Sequence, residues 1–585
     1  MAVTGMGAIP IDGAVAFRVW APHADHVAVR GDFNEWSETE HPMEQEGDGY
    51  WYTEVPGANA GQEYKYRISN GDNHFDRVDP YARQVTNSVG NGIVVDHSAY
   101  DWEDDTFVCP PHNELVVYET HVGSFAPGEW GGGNLDTVAG KLGYLADLGV
   151  NAIELMPLME FAGDTSWGYN PAHIFAVEGT YGGPDALKSF VKSAHHHGIA
   201  VILDVVYNHF GPSDLDIWQF DGWSENDKGG IYFYQDWRSA TPWGDTRPDY
   251  GRPQVRDYIR DNAMQWLRDY HVDGLRLDMT PYMRSVDATG MDIPEGWQLM
   301  RWLADQVREE FPGRILIAED LHGDPMVTSL AEGGAGFHAQ WDTHFVHPVR
   351  QALITPDDGA RSIHTVASAV TWDYGDAFSR VVYTESHDEV SNGKARVPQE
   401  VDPANPTGWA AQKRATLGLA LTLTSPGIPM IFQGQEFLED EWFRDTVPID
   451  WPRKDAFQDL VRLVHDLILL RRNASGDSRG LTGQDTRILH ANDDLKVLAF
   501  ERSEGGQDPV LVVANLSASE HGMYRIGLPG EGTWHVRFNS DASTYSALFG
   551  GHETPEIVAQ EQEYDGQPWS GEISIGPYSV AIFTR

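Results

Sequence analysis

A chain of 585 residues with 41% hydrophobic side chains is long enough for three or four domains with large cores, which excludes a peptide-like or disordered chain. The net charge of −47, from 88 acidic against 41 basic residues, repels nucleic acid and anionic membranes and leaves a neutral or cationic partner such as a sugar polymer; the same acidity suits a salt-rich cell interior. A single cysteine, Cys109, excludes an internal disulfide, no basic-then-apolar leader opens the sequence, and no apolar run approaches bilayer length, so a cytoplasmic protein is expected.

From Val15 to about Tyr100 short alternating strands are separated by Gly and Asn turns, as in 27–36 and 63–68, a spacing that predicts a small β-sandwich over residues 1–105. Its aromatics Trp20, Trp36, Trp51 and Tyr52 could stack on sugar rings, but filling the sandwich core is the stronger expectation. The run 79–83 reads as the exit, and Pro110-Pro111 as a stiff link to a central domain over 112–475. There Leu115 to Tyr118 is the predicted first strand and Leu135 to Leu148 a helix stopped by Gly149, before a second strand over 152–155. A helix over 184–197 ends in His195, His196 and His197, which read as helix-end charges rather than a metal site because adjacent helical positions diverge.

The strand after it closes on Asp204, followed by Asn208 and His209. The stretch 210–253 is rich in Gly, Asp and aromatics, among them Trp218, Trp223, Tyr232, Phe233, Tyr234, Trp237 and Trp243; so long an irregular excursion is usually functional, and it reads as a set of aromatic platforms over the active face, with a self-packed lid core as the alternative. An amphipathic helix over 254–270 delivers Gly274-Leu-Arg-Leu-Asp278, an apolar run that ends in charge. Arg276 and Asp278, two apart, share one face of a strand, where the guanidinium would keep the carboxylate ionised. Runs ending at Glu319-Asp320 and at His387-Asp388 repeat the pattern. Apolar strands separated by helices and closing on polar residues predict a (β/α)8 TIM barrel with its active site at the C-terminal strand ends. After a last helix over 456–472, short strands return from about residue 480 and predict a C-terminal β-sandwich over 480–585.

The segments DVVYNH (204–209), GLRLD (274–278), IAED (317–320) and ESHDE (385–389) resemble, in this order, the four signature regions of the α-amylase family, glycoside hydrolase family 13. FRVWAPHADHVAVRGDFNEW (17–36) is similar to the family 48 carbohydrate-binding module that precedes the barrel in branching and debranching enzymes, and VVYETHVGSF, SWGYNP and SPGIPMIFQGQEF extend the resemblance over nearly the whole chain. The resemblance implies Asp278 as nucleophile, Glu319 as acid/base and Asp388 as the third carboxylate, which holds sugar hydroxyls. It further implies that His209 and His387 bond the sugar at the cleavage site, that Tyr169 stacks beneath it and that Asp204 orients the shell, with Arg276 beside the nucleophile. Apolar walls and neighbouring carboxylates would raise the pKa of Glu319. Asn208 matches a calcium ligand of some amylases, but Gly211-Pro212 follows where further ligands would stand, so neither a metal nor a cofactor is expected.

The expected substrate is an α-1,4-glucan or maltooligosaccharide. SHDEV with Gly393-Lys394 is similar to branching enzymes, which transfer a cleaved chain to a 6-hydroxyl; DVVYNHFGP, ELMPLMEF and GLRLD look more like maltooligosyl-trehalose trehalohydrolases, which use water. Met279 departs from the Ala usual in both groups. Transfer is the reading taken forward, with hydrolysis as its alternative and a catalytically dead glucan-binding protein as a remote third.

Overall fold

The structure, a computed structural model, describes residues 3–128 and 131–585; residues 1–2, where the N-terminal unit is expected to begin, lie outside it. At its centre eight parallel strands close into a barrel: β1 (Val117–Thr120), β2 (Ala152–Leu155), β3 (Ala200–Val205), β4 (Gly274–Leu277), β5 (Ile315–Ala318), β6 (Ala339–Trp341), β7 (Arg380–Val382) and β8 (Ile428–Phe432), in that order around the ring. Every residue of these strands is buried, as a sheet covered by helices outside and filled by side chains inside requires. The strands are shorter than their apolar runs. β5 stops at Ala318 and β7 at Val382, so the polar tips 319–320 and 383–388 are loop.

β1 begins two residues later than its apolar run, because the Val116 amide donates to the Asn151 side chain at 2.7 Å instead of to a neighbouring strand. The predicted 135–148 helix is two, Leu135–Ala139 and Leu142–Leu148: Asn134 caps the first, and the Gly140 amide closes it on the Asp136 carbonyl. Gly149, at φ +96°, ends the second as its sequence position suggests. His195 differs from its reading as a helix-end charge. It is buried, with Nδ1 2.9 Å from Asp105 and Nε2 2.9 Å from Asp273, and its ring lies flat on Phe107, so it ties the linker to the barrel floor.

The N-terminal unit is a sandwich of two four-stranded sheets around Val15, Phe17, Val27, Val29, Tyr64 and Tyr66. Trp20 and Trp51 are core residues, only 5% and 4% exposed, and the Trp51 indole donates to the Ala21 carbonyl. The C-terminal unit pairs a six-stranded sheet with a two-stranded one and is pinned to the barrel by the buried Lys413–Asp541 pair at 2.6 Å. Among the described residues no helix is long and apolar enough to cross a membrane.

The excursion after β3 is mostly its own core, a correction to the expectation of aromatic platforms. Phe220, Tyr232, Phe233, Tyr234 and Tyr250 are buried, Trp218 and Trp223 half-buried, and only Trp237 and Trp243 stand exposed, at 61% and 42%. The cause is docking against the N-terminal sandwich. The His23 ring stacks on Trp223 at 4.4 Å while its backbone amide donates to Asp221, Arg77 donates to the Phe220 carbonyl, and Trp20 meets Tyr232 edge-on. The sandwich thereby holds a lid against the catalytic face of the barrel.

Candidate active site

Arg276 is the centre of the site. It sits fully buried on β4, and the β3–β4 register sets it opposite Asp204. Nη1 donates to Asp204 Oδ2 at 2.6 Å and to Asp278 Oδ1 at 3.2 Å, while Nη2 forms an ion pair with Glu319 Oε2 at 2.7 Å. Arg276 therefore serves more than Asp278: three carboxylates from three strand ends share one guanidinium. Its flat face lies 4.4 Å from the centre of the Trp341 ring, which leaves water no access to that side.

Asp278 is held from its other side by Asn208, whose amide donates to Oδ2 at 2.6 Å. The Asn208 carbonyl oxygen in turn meets His209 Nδ1 at 2.5 Å, and His209 Nε2 lies 3.2 Å from Asn170. Asn208 is thus committed to protein partners. Met279, next along, takes φ +37°, a conformation costly for a side chain with a Cβ, and this turns its amide to donate to Glu319 Oε2 at 2.9 Å. Nucleophile and acid candidates are fastened through one cation and through adjacent backbone.

The electrostatics separate the groups. Burial drives Glu319 well above the usual carboxylate range; Arg276 opposes this, and the charges of Asp278 and Asp388 reinforce it. Asp204 is raised to about 6 by burial against the pull of Arg276. Burial alone would lower His387, but the carboxylates of Asp388 and Glu119 outweigh it and raise the imidazole to about 10, so it is a cation at neutral pH. His209, desolvated, falls to about 4 and stays neutral. Glu119 receives the His387 amide at 3.1 Å and its Nδ1 at 2.5 Å, and Asp388 lies 3.7 Å from Nε2 with 46% of its side chain exposed. Tyr169 donates to Asp204 Oδ2 at 2.6 Å and stacks its ring on His387 at 5.2 Å.

All eight residues singled out from the sequence, Tyr169, Asp204, His209, Arg276, Asp278, Glu319, His387 and Asp388, thus meet at one face of the barrel. Sequence reasoning assigned no role to Glu119, which orients His387, nor to Glu154, buried on β2 and pushed well above the carboxylate range by desolvation and by Glu119. The signal for both was the one used elsewhere, a charged residue in an apolar strand. It also left Trp243 undistinguished within the excursion. Its exposed indole stacks on His209 at 4.4 Å with the planes 13° apart and meets Tyr282 edge-on at 5.3 Å.

Comparison with known proteins shows the family. A family model described as the alpha amylase catalytic domain matches residues 80–248 and 215–462, carbohydrate-binding module 48 (isoamylase N-terminal domain) matches 5–82, and the alpha amylase C-terminal all-beta domain matches 488–585. The 1,4-alpha-glucan branching enzyme GlgB 2 of Xanthomonas campestris pv. campestris (strain 8004) is 34% identical over 567 residues, covering 91% of this chain and 75% of its own. The branching enzyme GlgB of Corynebacterium jeikeium is 31% identical over 571 residues, covering 92% and 78%. Among solved structures, a pullulanase from Anoxybacillus sp. LM18-11 superposes with a TM-score of 0.78 at 22% identity, covering 100% of this chain and 86% of that one; at such identity the likeness shows the fold alone.

Proposed function

The chain belongs to the α-amylase family, and we propose that it is a retaining 1,4-α-glucan branching enzyme, which cleaves an α-1,4 bond and passes the freed chain to the 6-hydroxyl of another glucan. The observation that carries this reading is the pairing of Asp278 and Glu319 on one guanidinium, at 3.2 and 2.7 Å, which brings together the two carboxyl groups that a retaining mechanism uses as nucleophile and acid. The extended identity with branching enzymes supports transfer over hydrolysis.

In the first half-reaction an Asp278 oxygen attacks the anomeric carbon while protonated Glu319 gives its proton to the departing 4-oxygen, leaving a glycosyl ester and a free chain end. His387 and Asp388 hold the hydroxyls of the distorted ring, which rests against Tyr169, and Asp204 and Glu119 keep Tyr169 and His387 in place. Esterification removes the negative charge of Asp278, one of the groups that raise Glu319, so Glu319 becomes easier to ionise when it must act as a base. It then takes the proton of the incoming 6-hydroxyl, whose oxygen displaces Asp278 and restores the α-configuration.

The N-terminal unit, residues 1–105, serves here mainly as a packing partner that fixes the lid; the catalytic unit spans 112–475 and the all-β unit 480–585. The substrate is an α-1,4-glucan or maltooligosaccharide, and the reaction calls for no metal or cofactor. A single half-buried cysteine and the absence of any membrane-crossing helix among the described residues favour a cytoplasmic enzyme. The test is incubation with amylose, followed by separate assays for α-1,6 linkages and for new reducing ends. Linkages outnumbering reducing ends support branching; reducing ends alone make the enzyme a hydrolase.

A further inference from the structure

A cavity of about 520 Å³ opens beside the site, separated from His387 by a layer of aromatic rings. Trp167 meets His387 edge-on at 5.8 Å and Phe443 at 5.1 Å, and Phe443 meets His121, which forms the cavity floor with Tyr181. Asp164, Thr165, Asp445 and Thr446 stand around it.

Two features of the lining point to a ligand class. Among the described residues no lysine or arginine lines the cavity, and its histidine, lowered to about 4 by burial, is neutral. Two carboxylates and several hydroxyls therefore face any occupant, an arrangement that accepts hydrogen bonds from a neutral polyol and repels a phosphorylated one. Gly132, also in the lining, has no positive φ, and a Cβ there would meet no atom of the described residues within 4 Å. Neither backbone geometry nor packing requires glycine at that position, whereas any side chain would take up the open space. Gly133 beside it does need to be glycine, since its Cβ would lie 2.4 Å from the Val122 carbonyl oxygen.

The barrel order gives the cavity a direction. Its walls come from the loops after β1, β2 and β8, whereas Glu319 follows β5, diametrically opposite β1 in the ring. Glu319 protonates the leaving oxygen, so the leaving chain, and later the acceptor, lie on the β5 side. The chain that stays on Asp278 runs the other way, towards its non-reducing end and the cavity.

We propose that this cavity receives the non-reducing portion of the donor glucan and thereby sets the length of chain transferred, an assignment that rests on the branching reading. A chain long enough to reach it gains hydrogen bonds that a shorter one lacks, so longer donors are selected.

The test fills the cavity from two loops, by Gly132→Trp and separately by Thr446→Trp, each used only if its Tm matches the wild type; should one fail to fold, the other carries the test. Amylose-derived product is debranched and the released chains are sized. Both folded variants are expected to shift the distribution towards shorter chains, and a distribution unchanged from wild type overturns the proposal. If the wild type makes no α-1,6 linkages, the branching reading falls separately. The same variants then report on the cavity through the length of oligosaccharide released from amylose, and an unchanged length there overturns the donor assignment.

Discussion

Arg276 Nη2 and Glu319 Oε2 lie 2.7 Å apart, so the cation that holds the nucleophile also grips the acid. A guanidinium presents two nitrogens to three carboxylates in fixed directions, which an ammonium cannot do. Arg276→Lys would leave at least one buried carboxylate without its counter-charge, a loss that costs about 3 kcal/mol or more in buried pairs. We expect a lowered Tm together with at least a hundredfold lower initial rate on amylose. A variant with wild-type rate would show that the shared cation is structural only.

Asp278→Asn nearly preserves shape and keeps the Asp204 and Glu319 contacts of Arg276. Without the nucleophile the covalent route is closed, so the rate should fall by several powers of ten while Tm stays close to wild type. Substantial turnover in this variant would remove Asp278 from the role given to it.

His387 carries a pH signature in stability. Its folded pKa of about 10 lies above the ordinary value of 6.5, so its contribution is fully present below pH 6.5 and is lost as pH rises towards 10. Over that window the folded state binds more protons than the unfolded one, and stability should fall with rising pH. Urea denaturation at pH 7, 8.5 and 9.5 should show a steeper decline for wild type than for His387→Asn. Parallel declines would mean that Glu119 and Asp388 do not hold the imidazole as a cation.

How much of this was legible in the sequence depends on the range of the interaction. Arg276 and Asp278, two apart on one strand, declare their contact in the pattern itself. The bond between Glu119 and His387 joins residues 268 apart, and no local pattern says which strand-end carboxylate a histidine will meet. The start of β1 was displaced by one side chain, Asn151, that capped the preceding amide. The excursion was misread for a similar reason: its tryptophans look like platforms in isolation, and only the docked sandwich, through His23 and Trp20, turns Trp223 and Tyr232 into core. Helix stops such as Gly149 were readable because a left-handed backbone is a local demand.

Trp243 stays exposed within that excursion, and it bears on the choice between sugar and water as acceptor. Its exposed ring lies on His209, which contacts Asn208, which holds Asp278, so a sugar ring stacked on the indole would stand within a few side chains of the ester. Water is far more concentrated than any chain end, so transfer prevails only if an acceptor is bound and oriented. Loss of an aromatic contact worth about 1 kcal/mol corresponds to roughly a fivefold change in partition. Trp243→Ala should therefore lower the ratio of α-1,6 linkages to reducing ends by about that factor, while total bond cleavage persists because Asp278, Glu319 and Arg276 are untouched. The two assays on one amylose digest measure the ratio directly. A variant that cleaves at the wild-type rate with an unchanged ratio would remove Trp243 from acceptor binding and leave it as packing for His209 alone.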